Sequence, residues 1–233
     1  MPVTRVSLLL AVSALAQPAQ GGDFFDQFWP ETDIYVSLGE NTRLFGLLAG
    51  TRTKADGYTD GQVGIHIDWF TPPLFNQKRM ERRADIAKNR FVQLRLGYLY
   101  GRTPANSPNP FVEQTGVAEF TPRFFLPGKV LATDRNRGDF RFLNGVFTPR
   151  YRNRLKLERT FPLGRFNITP YISAEAFYNW RYNAFNRVRY SVGEELELTR
   201  RIVLETYYLR QQDSKSDPKG ENVVGLALQL YFR

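Results

Sequence analysis

Charged side chains occupy one face of the most regular stretch of this sequence. The run from Arg150 to Phe161 begins R-Y-R-N-R-L-K-L-E, so a basic or acidic residue stands at every second position. A two-residue period is that of a β-strand, which places these charges on one face and Leu155 and Leu157 on the other. A water-facing strand surface that is rich in arginine attracts anions.

Charged residues with the same parity recur on several predicted strands and form a candidate network that faces one interior. The network consists of Arg95, Arg152, Arg154, Lys156, Glu158, Glu175, Arg189 and Glu205. Opposite charges on neighbouring strands would pair and hold the interior together. Two interpretations therefore stay open: a structural scaffold of ion pairs, or a basic lumen that acts as a narrow passive pore.

The single histidine offers the one alternative with catalytic chemistry. His66 stands two residues before Asp68, which puts a base and an acid on one face of a strand. The sequence has no G-x-S-x-G, H-E-x-x-H or phosphate-binding glycine motif. We therefore predict a non-enzymatic protein without cofactor or metal, and keep an outer-membrane lipid-modifying enzyme with His66 and Asp68 as the alternative.

The final stretch, N-V-V-G-L-A-L-Q-L-Y-F-R, predicts how the elements are arranged. One face is fully apolar and carries Val224, Leu226, Leu228, Leu230 and Phe232. An edge strand this apolar would aggregate in water unless it were covered. Closure of a β-barrel with these residues facing lipid removes the edge, and Phe232 resembles the terminal signal of outer-membrane barrels. The predicted fold is all-β, a transmembrane antiparallel up-and-down barrel.

Eleven runs of alternating hydrophobicity follow one another between residues 32 and 233. Bacterial single-chain barrels usually have an even number of strands, so we expect ten to twelve and favour twelve, with Asp23 to Trp29 as the additional strand. Residues 71–88 break the pattern and form either a short helix or a loop. From residue 89 onward long loops alternate with short turns.

The N-terminus predicts export. Arg5 precedes a short apolar run, and Ala14-Leu15-Ala16 fits a cleavage site, so residues 1–16 read as a signal peptide, 17–30 as an N-terminal segment and 31–233 as the barrel domain. The expected location is the bacterial outer membrane. Expected partners are outer-membrane lipid and lipopolysaccharide, with periplasmic chaperones and the barrel-assembly machinery during export.

Composition narrows the choice of partners and sites. The formal net charge of +9 would suit a nucleic-acid partner, but an export signal argues against one. The chain has no cysteine, which excludes disulfides and thiolate metal sites. A soluble periplasmic lipocalin-like binding protein stays open; it predicts that Leu226 and Leu228 are core and that Arg152 and Arg154 are solvated.

Several short motifs carry a resemblance to a known family. They are Arg150 to Arg159, Thr169-Pro170-Tyr171, Ala174-Glu175, Phe177-Tyr178, Asn186-Arg187, Arg189-Tyr190, Glu205 to Arg210 and Leu228 to Phe232. With these, the chain resembles the outer-membrane β-barrel family "domain of unknown function 2490" over roughly residues 28 to 233, most strongly from Asp134 onward. The resemblance implies fold and location and supplies no catalytic residues.

Overall fold

The computed structural model describes residues 25–53, 57–71, 84–104, 107, 110–215 and 219–232. Within them one β-sheet closes on itself, so the predicted all-β barrel is confirmed. The strands are β1 (Gln27–Ser37), β2 (Thr42–Thr53), β3 (Gly57–Phe70), β4 (Val92–Arg102), β5 (Val112–Leu126), β6 (Val130–Leu143), β7 (Val146–Phe147), β8 (Arg150–Glu158), β9 (Phe161–Leu163), β10 (Phe166–Asn179), β11 (Ala184–Glu197), β12 (Ile202–Asp213) and β13 (Gly220–Phe232).

Two of these strands are short extensions of a third. β7 pairs with β6 and β9 pairs with β10, while β8 between them pairs with both neighbours. Together β7, β8 and β9 therefore fill one position in the wall, interrupted near Pro149 and at Arg159–Thr160. In the described part of the chain two 3-10 helices, Ile86–Asn89 and Pro127–Lys129, lie in connections.

In the described part of the chain eleven positions form the wall, which lies within the expected ten to twelve, although the favoured number of twelve is wrong. Trp29 belongs to β1 and not to a separate strand, so the wall begins at Gln27, within the segment 17–30 that was expected to precede the barrel. All neighbours in the wall are antiparallel except β1 and β13, which are parallel. Directions that alternate around an odd number of strands force this, because the first and last strands then run the same way.

Alternation along each strand separates two surfaces. On β3 the side chains of Val63, Ile65 and Ile67 point outward and are about half exposed, while His66 and Asp68 point into the lumen and are buried. The same parity runs around the barrel, with apolar residues outside and polar or charged residues inside. The wall therefore has the reverse of a soluble protein's polarity.

The connections between strands lie at the two ends of the barrel. The end at which β13 finishes, here called the turn end, carries the connections 38–41, 127–129, 164–165 and 198–201. The opposite end, here called the loop end, carries the longer connections 103–111 and 214–219 but also the tight turn Asn144–Gly145, whose two residues have φ of 50° and 81°. Positive φ at both positions gives the type I′ turn that suits a two-residue hairpin.

The alternation of long and short connections is therefore only partial. The sequence pattern missed the tight turn at the loop end. It also missed that the connection from β3 to β4, residues 71–91, lies at the turn end; residues 72–83 lie outside the described residues, as do the predicted signal peptide and its cleavage site. No helix in the described part of the chain is long and apolar enough to span a membrane.

A ring on one strand packs against a glycine on the next strand inside the lumen. Gly97 on β4 pairs with His66 on β3, and the imidazole lies over the glycine. A Cβ atom at Gly97 would lie 2.1 Å from Cδ2 of His66 and 2.7 Å from the backbone oxygen of Ile65. Only glycine leaves room for this ring.

We predict that Gly97→Ala destabilises the barrel by about 1–3 kcal/mol, the usual range for overpacking. Unfolding in urea, followed by the heat-modifiable mobility of the refolded protein on a gel, measures the loss. Gly46→Ala on β2 is the matched control, because its Cβ would meet nothing closer than 3.7 Å. Equal stability of the two variants would contradict the ring-over-glycine packing.

Candidate functional site

A cavity of about 670 Å³ occupies the lumen and is lined by side chains from all eleven wall positions. Small-molecule sites in proteins usually have volumes of about 300–1,000 Å³. All eight residues of the candidate charge network line this cavity. Val224, Leu226, Leu228, Leu230 and Phe232 lie on the opposite, outward face of β13, with Leu226 and Phe232 exposed.

Arginines crowd one side of the lumen, on β6, β8 and β11. Asp139 accepts from Arg137 at 2.6 Å and from Arg150 at 2.7 Å, and its side chain is buried. Glu175, on β10, binds Arg135 and Arg152 at 2.6 and 2.9 Å. These two buried carboxylates each bind two guanidinium groups and so compensate part of the positive charge.

Phe177 lies at the centre of the arginine side. Its ring centroid is 4.8 Å from Cζ of both Arg152 and Arg189, 5.5 Å from Cζ of Arg150 and 5.7 Å from Cζ of Arg187. The negative face of an aromatic ring attracts such cations. The buried ring therefore lets four guanidinium groups approach one another.

Carboxylates collect on β1 and β12 without basic partners. Glu31 and Glu205 stand on either side of Ala227, with which each is in register. Glu205 accepts from Tyr171 Oη at 2.6 Å and from Gln229 Nε2 at 2.8 Å. No ion pair found among the described residues includes Glu31, Asp33 or Glu205. β1 lies across the lumen from β6 and β8, so its carboxylates face the arginines of those strands, whereas β12 lies next to β11.

Two arginines of the network also lack a carboxylate partner in the described structure. Arg189 donates Nε to Gln211 Oε1 at 2.7 Å, and its guanidinium also lies 4.9 Å from the ring of Trp29. Arg154 has a buried Nε without any hydrogen-bond partner. The charge of Arg154 acts across the cavity on the carboxylate of Glu31.

The connection between β3 and β4 folds into the lumen at the turn end. Residues 84–89 of this connection, here called the inward segment, reach the opposite wall: the Ala84 backbone N–H donates to Glu197 Oε1 at 2.6 Å. Lys88 binds Glu158 at 2.8 Å and also pairs with Glu195. Because Asp85 and Lys88 line the cavity, the inward segment forms its floor.

Asp85 ties the inward segment to the wall through Arg43, at 2.8 Å. Burial alone would raise the pKa of Asp85, but the charges of Arg43, Lys88 and Arg123 outweigh burial and hold that pKa below its usual range. A lowered pKa stabilises the folded state above the pKa of the unfolded chain, and this contribution is lost as the pH falls through the folded-state value. The inward segment is therefore held better at neutral pH than in acid.

His66 and Asp68 share a face but make no hydrogen bond to each other in the described structure. Asp68 binds Arg43 at 2.7 Å and Arg95 at 2.6 Å. The His66 ring is stacked on Phe45, 5.0 Å between centroids, and neither ring nitrogen has a hydrogen-bond partner. This geometry is that of a packed aromatic ring and gives no acid–base pair.

Sequence reasoning missed several residues of the site. Glu31 and Asp33 alternate with Thr32 and Ile34, a signal that could have added them to the network. The inward segment gave no such signal, because its spacing matches neither a strand nor a long helix. Among the described residues no group of three or more His, Asp or Glu side chains could hold a metal ion.

Comparison with known proteins confirms the family resemblance. The sequence model of a family described as "Protein of unknown function (DUF2490)" matches residues 74–222, which include β4 to β12 in full. A solved structure that is similar is the β-domain of the Bordetella autotransporter BrkA, with 15% sequence identity, a TM-score of 0.46, and 82% of this chain and 83% of that chain covered. Curated proteins give no match.

We predict that Arg43→Met destabilises the barrel by about 3–5 kcal/mol, because it leaves Asp85 unpaired and removes one of the two arginines of Asp68. Urea unfolding of the refolded protein measures the change. Arg102→Met, at an exposed strand end, is the control and should stay within about 0.5 kcal/mol of the unchanged protein. An Arg43→Met variant as stable as this control would show that the ion pairs do not hold the inward segment.

Proposed function

The chain belongs to the family described as "Protein of unknown function (DUF2490)", and because this description assigns no activity, we propose a function from the geometry. The protein is an integral outer-membrane β-barrel whose charged lumen is a narrow passive passage for small anions. The observation that carries it is the inverted polarity of the wall. Exposed aliphatic and aromatic side chains cover the outer face of the barrel, and buried charged side chains line its lumen.

The outer surface supports the membrane location. Leu48, Ile65, Leu96 and Ile172, on four different strands, are each more than half exposed. Soluble monomers rarely expose apolar patches larger than a few hundred Å². Lipid and lipopolysaccharide would cover these side chains, as expected for an outer-membrane protein.

A cluster of polar residues interrupts the apolar outer surface on β6 and β8. Asn153 Nδ2 donates to Asp134 Oδ1 at 2.7 Å and to Asn136 Oδ1 at 3.1 Å, and Tyr151 Oη donates to the same Asn136 oxygen. Polar groups that face lipid must be satisfied within the protein. These side chains largely satisfy one another, which fits the proposed location.

The lipocalin-like alternative requires an apolar interior. Arg43, Asp68 and Glu158 are instead buried inside the barrel, and each is at most 3% exposed. The enzyme alternative requires a reactive histidine, and the contacts of His66 give it no partner for proton transfer. Neither alternative gains support from the geometry.

A structural scaffold is the second candidate function, and the inward segment favours it. Its ion pairs to Glu158 and Glu195 span the lumen at the turn end. A passage is favoured by the cavity above it and by the uncompensated arginines Arg154 and Arg189. Conductance separates the two, since a scaffold needs no continuous water path.

We predict that Leu228→Arg prevents stable insertion into lipid vesicles, because an arginine on the lipid face costs about 2–4 kcal/mol near the midplane. Flotation of refolded protein with vesicles measures insertion. Leu38→Arg, an exposed leucine in the connection after β1, is the control and should float normally. A Leu228→Arg variant that is folded, monomeric and soluble would refute the membrane barrel.

We predict small conductance steps with anion preference for the protein in a planar bilayer. In a salt gradient, Arg154→Gln and Arg152→Gln should move the reversal potential toward zero, because each removes a lumenal cation. Arg102→Gln, at the exposed rim, is the matched control.

The floor of the cavity provides the second arm of this experiment. Lys88→Gln should enlarge the steps, because it weakens the pairs that hold the inward segment across the lumen. If neither the unchanged protein nor Lys88→Gln conducts although both are folded and inserted, the passage is excluded and the scaffold remains.

A further inference from the structure

The lumen carries unpaired charges of both signs around one spot. The charges of Glu31, Glu205, Arg189 and Arg154 all act on the hydroxyl of Tyr207 on β12. All five side chains line the same cavity. Most other lumenal charges have a direct ionic partner, so this spot differs from the ion-pair layers around it.

The acidic half of the spot is built around a small residue. Glu31 and Glu205 flank Ala227 in one row, two strand spacings or about 9–10 Å apart at the backbone. Long carboxylate side chains on either side of an alanine methyl can converge on one cation above it. No lysine or arginine among the described residues forms an ion pair with either of them.

The basic half offers a free donor. Arg154 Nε is buried and has no hydrogen-bond partner, although its guanidinium lines the cavity. A charged buried donor that is left unsatisfied destabilises the protein, so such a group calls for water or a ligand. Arg189, stacked on Trp29, extends the same basic side.

We propose that this spot is a binding site for a small zwitterion, with its ammonium between Glu31 and Glu205 and its phosphate or carboxylate on Arg154 and Arg189. The proposal rests on the proposed water-filled lumen and adds a substrate class to it. Free amino acids and phosphoethanolamine share this chemistry.

Charge complementarity selects against ions of a single sign. A simple anion at Arg154 would leave the carboxylates unpaired and would be repelled by them, and a simple amine would be repelled by the arginines. A molecule with both groups satisfies both halves at once. One additional charged hydrogen bond contributes about 1.5–3 kcal/mol, which corresponds to tenfold or more in affinity.

Trp29 provides the readout, because Trp69 and Trp180 are exposed and can be replaced by phenylalanine. Refolded Trp69→Phe/Trp180→Phe protein is titrated with O-phosphoethanolamine, β-alanine, inorganic phosphate and ethanolamine, and the fluorescence of Trp29 is followed. At least one zwitterion should bind about tenfold more tightly than phosphate and ethanolamine. The stronger of the two zwitterions identifies the anionic group. Phosphate binding as tight as that of both zwitterions overturns the proposal.

Charge-removing variants test the orientation. Glu31→Gln should weaken zwitterion binding about tenfold and leave phosphate binding unchanged, whereas Arg154→Gln should weaken both. Glu194→Gln, an exposed glutamate on β11, is the matched control and should change neither. Unchanged zwitterion affinity in Glu31→Gln contradicts the site.

Vesicle flotation and conductance of the same preparation keep the two proposals apart. An inserted, conducting barrel that does not distinguish zwitterions from phosphate refutes only the zwitterion site. Protein that stays out of vesicles refutes the membrane barrel, whatever it binds.

Discussion

Closure between β1 and β13 is the constraint on which the rest of this structure depends. Gln27 to Val36 pair with Val223 to Phe232 in parallel register, so neither strand leaves an open edge. With the sheet closed, its backbone polar groups are satisfied within the wall, which is what a lipid environment demands. Closure also creates a lumen, and it directs one parity of every strand into that lumen. The separation of an apolar outside from a charged inside follows from these two consequences together.

Once charged side chains are enclosed in the lumen, the way they pair favours either a scaffold of ion pairs or a passage. Asp68 and Asp139 each hold two or more arginines at close range, and such sites lock neighbouring strands together. The cost of desolvation is offset only where geometry is this good. Glu31, Glu205 and Arg154 stand outside that scheme. A lumen whose charges all paired would favour a scaffold alone, and the unpaired remainder is the basis of the proposed passage and the proposed binding site.

The inward segment links the closed wall to the ion pairs inside the lumen. It is a connection and not part of the wall, yet its aspartate and lysine complete ion pairs with β2, β8 and β11. It thereby turns one end of the lumen into a floor. A barrel with an open turn end would be a simple channel, whereas here the inward segment lies across that end of the lumen.

Much of the wall was predictable from the sequence, because the direction of a strand side chain depends only on its parity. The faces of β3, β8 and β13 follow from alternation alone, as do the eleven runs that became eleven wall positions. A general preference for even strand numbers, and no residue in this chain, led to the expectation of twelve. Only the tertiary structure decided the parallel closure, the partners of each charge and the fold of the inward segment. The reason is separation along the chain: Lys88 and Glu195 stand 107 residues apart, and no local pattern specifies that they meet.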